Sequence, residues 1–300
     1  MNSTRILARV MRVLNLAALA GLVAFALPAW AQKAYPTPEA AVNALIDGVA
    51  RNDDDQVKVA LGPDWKKFVP TREDHPEDTT NFLAAWAKGH RIVAAGGDKA
   101  WLEVGTNGWT LPIPIVRTAA GWSFDTRAAP DELRTRRIGR NELALINVML
   151  AYTDAQEDYA RFTRRSEGKA SYAQKIMSSE GRKDGLYWPA LPGEAESPLG
   201  PILADTKPGE AYHGYRYRIL TGQGKDAPGG ARSYLRDGRM VDGYALVAWP
   251  AKWGDTGVMT FIVDKDGVVY QKDLGAKTDA LARAMTVYNP DATWQKAAQP

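Results

Sequence analysis

The sequence has 300 residues, with 38 basic and 35 acidic side chains, no cysteine and 45% hydrophobic residues. The absence of cysteine excludes disulfide bonds, thiolate metal sites and cysteine nucleophiles. Three of the basic residues and none of the acidic ones precede residue 32, so the remainder carries 35 of each sign. Because the remainder is charge-balanced, its composition gives no electrostatic reason to bind nucleic acid, and we expect none as a partner.

The first 31 residues have the pattern of a cleavable secretory signal peptide. Three arginines give a positive start, an uncharged apolar run follows over Val13–Leu27, and Ala29-Trp30-Ala31 supplies small residues for cleavage. The apolar run is shorter than the roughly 20 residues of a membrane-spanning helix. We therefore predict cleavage after Ala31 and a periplasmic or secreted protein with no membrane span; an uncleaved membrane anchor is the alternative.

Residues 32–129 predict an N-terminal domain of helices followed by a sheet. A short tether, residues 32–36, leads into a helix, since Thr37 is a typical N-cap and Pro38 suits the first helical position. Pro112 and Pro114 cannot donate to a sheet ladder, so we expect their strand at an edge or bulged. The predicted helices cover residues 38–51, about 53–61 and about 77–88, and the predicted strands cover 91–95, 100–104, 111–117 and 121–125.

Residues 130–300 again predict helix first and sheet second. A stripe of apolar residues at helical spacing predicts one long helix over 131–165, and an ordered loop region follows over 181–208. Asp264-Lys265-Asp266-Gly267 is typical of a hairpin turn between strands. Further strands are predicted over 212–220, 243–248, 258–263 and 268–271, with a short helix over 278–285. The sequence thus predicts an α+β protein of two domains, the second with its long helix packed on a meander sheet.

No motif indicates a metal, a cofactor or a catalytic residue, so we predict none of the three. The three histidines lie in different segments, and no two form the i, i+4 pair of a helical zinc site. Ser166 and Lys169 match the S-x-x-K pattern of serine acyl-enzymes, but they fall at the charged end of the predicted long helix. A solvated helix end is therefore the favoured interpretation of that motif.

A possible binding face lies on the strand predicted over residues 212–220. Period-two alternation places Tyr212, Arg216 and Arg218 on one face of this strand. The following glycine-rich loop carries Lys225 and lacks P-loop spacing. These four residues suit a small anionic or sugar-like ligand or another envelope protein. Cross-strand packing with solvated arginines is the alternative.

Several segments resemble an exported bacterial family, the domain-of-unknown-function 2950 family. They are the stretches that begin at Tyr212, Gly243 and Gly257, together with Pro112-Ile-Pro-Ile-Val and Gly121-Trp-Ser-Phe-Asp-Thr. The resemblance implies export and no established activity, so it supplies no catalytic residue. In outline, the C-terminal half is similar to pilins and pseudopilins. Residues 38–125 are similar in outline to cone-shaped domains of the nuclear-transport-factor-two type.

These observations predict an exported protein with a non-catalytic role in binding or in envelope assembly. The alternative is a hydrolase or transferase that acts on envelope sugar or peptide. The two classes differ in what a pocket should contain, because an enzyme needs acid–base groups that converge on its substrate.

Overall fold

The computed structural model describes residues 32–69, 76–200 and 211–298. The predicted signal peptide, residues 1–31, lies outside these ranges. The chain divides between Ala129 and Pro130 into two compact units. Each unit has helices followed by an antiparallel sheet, which confirms the predicted α+β class. None of the helices in these described ranges is both long and apolar enough to span a membrane.

Three helices open the N-terminal unit, at the positions that the sequence predicts. They are α1 (Pro38–Arg51), α2 (Asp54–Leu61) and α3 (Pro76–Lys88). Thr37 caps α1, because its Oγ1 accepts a hydrogen bond of 3.1 Å from the Ala40 N–H. The turn between α1 and α2 is sharp, since Asn52 adopts a left-handed conformation with φ of 56°. Asp53 then caps α2 by accepting from the Gln56 N–H at 3.0 Å.

A four-stranded antiparallel sheet completes this unit, with its strands in chain order. The strands are β1 (His90–Ala94), β2 (Lys99–Val104), β3 (Ile115–Thr118) and β4 (Gly121–Phe124). Of the two expectations for the third strand, the edge position is wrong, because β3 pairs with both β2 and β4. The bulge is supported: Glu103 of β2 pairs with Thr110 whereas Ala100 pairs with Ile115, so the segment with the two prolines interrupts the regular register. β3 begins only at Ile115, after Pro112 and Pro114, so neither proline has to donate to the sheet.

The segment before α1 is bound to the unit rather than acting as a loose tether. Backbone hydrogen bonds of 2.7 Å run in both directions between Tyr35 and Trp122. The Gln32 side-chain amide donates to the carbonyl oxygens of Ala60 and Phe124, at 2.9 and 2.5 Å. The folded N-terminal unit therefore already includes Gln32.

The C-terminal unit is built on the long helix α4 (Ala129–Glu167), which has 39 residues. This confirms the predicted long helix. Its buried stripe includes Leu145, Met149 and Tyr152, at helical spacing, and these side chains belong to the core of the unit. The loop region after α4 also contributes to this core, because Trp188 is buried there.

Short and long strands follow in the second unit. The elements are β5 (Tyr215–Leu220), β6 (Gly222–Gln223), β7 (Arg232–Ser233), β8 (Leu235–Arg236), β9 (Arg239–Met240), β10 (Ala245–Pro250), β11 (Met259–Asp264), β12 (Tyr270–Asp273), α5 (Thr278–Ala284) and β13 (Gln295–Lys296). The main sheet is antiparallel in the order β13-β12-β11-β10-β5. The predicted hairpin turn at residues 264–267 joins β11 to β12.

A carboxylate of α4 fixes the helix to the sheet. The Glu142 Oε1 atom accepts hydrogen bonds from the backbone N–H groups of Val258 and Met259, at 2.9 and 3.0 Å. It also accepts from the Tyr215 hydroxyl at 3.3 Å. Burial and the neighbouring Glu142 charge raise the pKa of Tyr215 well above its ordinary value. The hydroxyl therefore stays protonated and remains a hydrogen-bond donor to α4.

Candidate functional site

A cavity of about 570 Å³ lies within the N-terminal unit. It is bounded by the end of α1, by α2 and the short turn at residues 65–67, by one face of α3, and by the connection between β2 and β3. Each of these elements contributes apolar side chains. Six buried residues form the floor and walls: Leu45, Val57, Leu61, Trp65, Val104 and Leu111.

Helix α3 forms one wall of the cavity along its whole length. Asp78, Phe82, Ala85 and Lys88 line the cavity, and their spacing of three and four residues places them along one helical face. No residue of α3 is fully buried. Phe82 packs against the core of the unit but is only half-buried, because its face of the helix also borders the cavity.

Aromatic rings shape the rim. Trp109, in the connection between β2 and β3, is 43% exposed and meets the Phe82 ring edge-on, with ring centroids 6.3 Å apart. The Asn107 Oδ1 accepts a hydrogen bond of 3.2 Å from the Trp109 N–H, which fixes the backbone beneath the indole. A large exposed aromatic ring beside an apolar cavity is a common feature of small-molecule sites.

The charged groups that line the cavity are mostly acidic. Among the described residues they include three carboxylates, of Asp53, Asp54 and Asp78, and one ammonium group, of Lys88. Asp53 is the N-cap of α2, and Asp54 forms an ion pair of 2.6 Å with Lys66. The cavity therefore combines an apolar interior with a small number of charged groups, the composition expected of a ligand site.

The sequence gives no signal for this cavity. Its lining comes from five separate segments, and each apolar member has the spacing of an ordinary core residue. Whether such residues touch one another or enclose space depends on how α3 sits against the sheet. The sequence context of Trp109 is the one signal that could have indicated the site. A tryptophan between an Asn-Gly turn and a proline-rich segment has few apolar neighbours in the sequence to pack against.

The predicted binding residues Arg216 and Arg218 lie together on one face of β5, against α5. The Arg216 guanidinium forms an ion pair of 2.8 Å with Asp279, in the first turn of α5. Arg218 donates to the carbonyl oxygens of Ala282 and Arg283 at 2.9 and 2.6 Å, and to that of Met285. These are carbonyl groups at the end of α5, so Arg218 caps that helix.

Asp279 is the centre of this polar contact. Hydrogen bonds from Arg283, from the Trp249 indole and from Arg216 lower the pKa of its carboxyl to about 2. Burial and the nearby Arg283 lower the pKa of Arg218. These contacts show what the two arginines do in the fold, and their role in ligand binding stays a prediction.

The other two predicted binding residues lie outside β5: Tyr212 precedes the strand in the chain, and Lys225 follows it. Tyr212 precedes a turn in which His213 has φ of 47°, and it exchanges two backbone hydrogen bonds of 2.9 Å with Tyr215. Lys225 is exposed in the connection between β6 and β7. The turn at His213 separates Tyr212 from the period-two pattern of the strand, which begins only at Tyr215.

The other sequence motifs have local structural partners. Ser166 donates to the Phe162 carbonyl oxygen at 3.0 Å, within the last turns of α4. Lys169 follows the end of that helix, as the solvated-helix-end interpretation expects. Across the part of the chain that the structure describes, no group of three or more metal-ligating side chains converges.

The comparisons with known proteins give one match. No curated protein and no solved structure matches the chain. Residues 32–297 match the model of a family described as protein of unknown function (DUF2950). This match covers most of the 300 residues. The chain therefore belongs to the DUF2950 family.

Proposed function

We propose that the protein is an exported, non-catalytic binding protein whose N-terminal unit takes up a small molecule in the apolar cavity. The cavity carries this proposal. Its volume of about 570 Å³ falls within the roughly 300–1,000 Å³ of small-molecule sites. Its interior is mainly apolar, and an exposed tryptophan, Trp109, stands at its rim.

Export is supported by where the family match begins and by the contacts of Gln32. Predicted cleavage after Ala31 leaves Gln32 as the first residue, and the family match also begins at residue 32. Gln32 already donates two hydrogen bonds to the N-terminal unit. A removable segment up to Ala31 is consistent with both observations.

The location is tested by expressing the full chain in a Gram-negative host and measuring the mass of the protein in each cell fraction. We expect a periplasmic or secreted species that begins at Gln32. Substituting Ala29 and Ala31 by leucine should block processing and retain the longer species. Recovery of the unsubstituted chain in the membrane fraction with residues 1–31 attached would favour the anchor alternative.

Ligand uptake is tested with N-phenyl-1-naphthylamine, a neutral dye whose fluorescence rises in apolar sites. Ala85→Phe fills the cavity from the α3 wall and should weaken dye binding at least about tenfold. Ala84→Phe is the matched control, since Ala84 is exposed on the same helix and does not line the cavity. It should leave dye binding unchanged.

A second variant tests the same proposal if Ala85→Phe fails to fold. Trp109→Ala removes the rim indole and its contact with Phe82, and because Trp109 is partly exposed the fold should tolerate the change. We expect dye binding several-fold weaker than in the unsubstituted protein, with an unchanged thermal midpoint. Equal dye binding by the unsubstituted protein and both cavity variants would contradict the proposal.

The face of β5 with Arg216 and Arg218, flanked by Tyr212 and Lys225, remains a second proposed binding region. Its occupant would be a small anionic or sugar-like ligand or another envelope protein. Arg216 keeps about a third of its side chain exposed, and Lys225 is exposed. Lys225→Glu tests it without disturbing α5: a partner cross-linked in cells through this region should be lost from the variant.

The alternative function is a hydrolase or transferase that acts on envelope sugar or peptide. The observation that favours it is the presence of three carboxylates around one cavity, since paired carboxylates perform acid–base chemistry. Incubation of the processed protein with purified peptidoglycan tests this alternative. Fragments that the unsubstituted protein releases and Asp78→Asn does not would favour an enzyme over a binding protein.

A further inference from the structure

We propose that the cavity of the N-terminal unit selects small amphiphiles with a positively charged or hydrogen-bond-donating head group, such as alkyl amines, over anionic amphiphiles such as fatty acids. This inference rests on the proposed function, because it names the class of ligand for the same cavity. Three observations carry it: the volume of the cavity, the placement of its charges, and the use of its helix N-termini.

The volume limits the occupant to a small molecule. A space of about 570 Å³ lies within the range of small-molecule sites. The apolar run Val13–Leu27 has 15 residues and is far too large for it. A short alkyl chain or a small ring system fits, and the apolar walls favour such a body over a polar one.

The charges are unevenly placed along the α3 wall. Asp78 lies in the first turn of α3 and Lys88 is its last residue, about 15 Å apart at 1.5 Å per residue. Between them the wall is formed by Thr79, Phe82 and Ala85, of which the last two are apolar. Asp53 and Asp54 also line the cavity, and Lys66 offsets the charge of Asp54 at 2.6 Å, so the excess of carboxylates at the cavity rests on Asp53 and Asp78.

The helix N-termini do not offer an anion site. The N-termini of α2 and α3 border the cavity and would attract an anionic head group if they were vacant. Asp53 already accepts from the first turn of α2, and Glu77 and Asp78 occupy the first turn of α3. An anionic head group would therefore meet carboxylates at both helix ends, whereas an ammonium group would be attracted to them.

The test compares three probes that share one alkyl chain: octylamine, octanol and octanoate. Each is titrated at neutral pH and low salt against the processed protein loaded with N-phenyl-1-naphthylamine. We expect octylamine to displace the dye at about a tenfold lower concentration than octanoate, with octanol between them. A ratio of amine to carboxylate potency below about threefold, or a reversed order, would overturn the inference.

Asp78→Asn locates the effect. It should reduce the preference for octylamine over octanoate at least about threefold. Glu77→Gln is the matched control. It removes the same charge from the neighbouring residue, and Glu77 is not among the described residues that line the cavity. An equal loss of preference in both variants would contradict the assignment of the head group to the Asp78 end.

A measurement on the unsubstituted protein keeps the inference falsifiable if Asp78→Asn fails to fold. Raising the salt concentration from about 0.01 to 1 M shortens the electrostatic screening length about tenfold. The preference for octylamine over octanoate should therefore decrease. A preference unaffected by salt would overturn the inference. Failure of the dye to bind at all would instead overturn the proposed function, so the two failures are distinguishable.

Discussion

The two units use a short helix against a sheet in opposite ways. In the N-terminal unit, α3 buries none of its residues fully and leaves an apolar cavity on one side. In the C-terminal unit, α5 lies directly on β10, and Arg216 and Arg218 of β5 hold its two ends. The difference teaches that charged side chains in a sheet can serve the fold, whereas ordinary apolar side chains can enclose a ligand site.

The largest expected effect comes from replacing a phenylalanine by alanine, once in each unit. Phe261→Ala in β11 removes a ring that is completely buried, and it should lower the free energy of unfolding by about 3–5 kcal/mol. Phe82→Ala, on the cavity wall, should cost only about 1 kcal/mol because that ring is half-buried beside an existing space.

Denaturant unfolding of both variants measures the two changes, with an exposed substitution, Lys225→Ala, as the reference for no effect. If Phe82→Ala proves as costly as Phe261→Ala, the ring packs in a filled core and the distinction between the two units fails.

An intermediate effect is expected at the C-terminal end of α5. Arg218→Ala removes the donor that binds three carbonyl oxygens there, and it should lower the free energy of unfolding by about 2 kcal/mol. Arg218→Lys should recover little of this loss, since an ammonium group does not reproduce the planar fork of the guanidinium.

Thermal unfolding followed by circular dichroism checks these variants. Arg161→Ala serves as the control, because Arg161 forms an exposed ion pair with Asp158 on α4, and such pairs contribute little to stability. A loss of no more than a few tenths of a kcal/mol in Arg218→Ala would mean that the capping bonds do not hold α5, and would return Arg218 to the role of a ligand-binding side chain.

The smallest expected effect is a pH dependence of the C-terminal unit. The pKa of Asp279 is lowered from 3.8 to about 2, chiefly by hydrogen bonds from Arg283 and Trp249. Its stabilising contribution is therefore present above pH 3.8 and is lost as the pH falls towards 2. Nearly half of the side chain is exposed, so we expect at most about 1 kcal/mol.

Asp279→Asn provides the comparison. The variant should be less stable at neutral pH, and its stability should fall less steeply than that of the unsubstituted protein between pH 4 and 2. Parallel stability curves for the two proteins, measured by urea unfolding at several pH values, would show that the carboxylate of Asp279 contributes nothing to the docking of α5.

Local signals in the sequence were sufficient for most elements of the fold. Thr37 and Pro38 predict the start of α1, and the capping contact of Thr37 is present. The turn residues 264–267 predict the hairpin between β11 and β12. The long helix follows from an apolar stripe that runs through Leu145, Met149 and Tyr152 to the same core. Each of these signals depends on neighbours within a few residues, so the chain alone specifies them.

Strand limits depended on contacts beyond the strand itself. The sequence places Pro112 and Pro114 inside the third strand, while the structure starts β3 at Ile115. The sequence also starts the fifth strand at residue 212, while the left-handed turn at His213 delays β5 to Tyr215. Both differences follow from which backbone groups find partners, a property of the assembled sheet.

The sequence by itself determined the α+β class, the order of the helices and of the longer strands, the absence of cysteine chemistry and the pattern of an export signal. The short strands β6–β9 and β13 were not predicted. Only the tertiary structure decided where space remains and which charges are already paired. Phe82 has the helical spacing of a core residue and Arg216 was predicted to face a ligand or partner, yet Phe82 lines a cavity and Arg216 is bonded to Asp279. Periodicity reports which face of an element turns inward, whereas cavities and ion pairs arise from contacts between segments far apart in the chain.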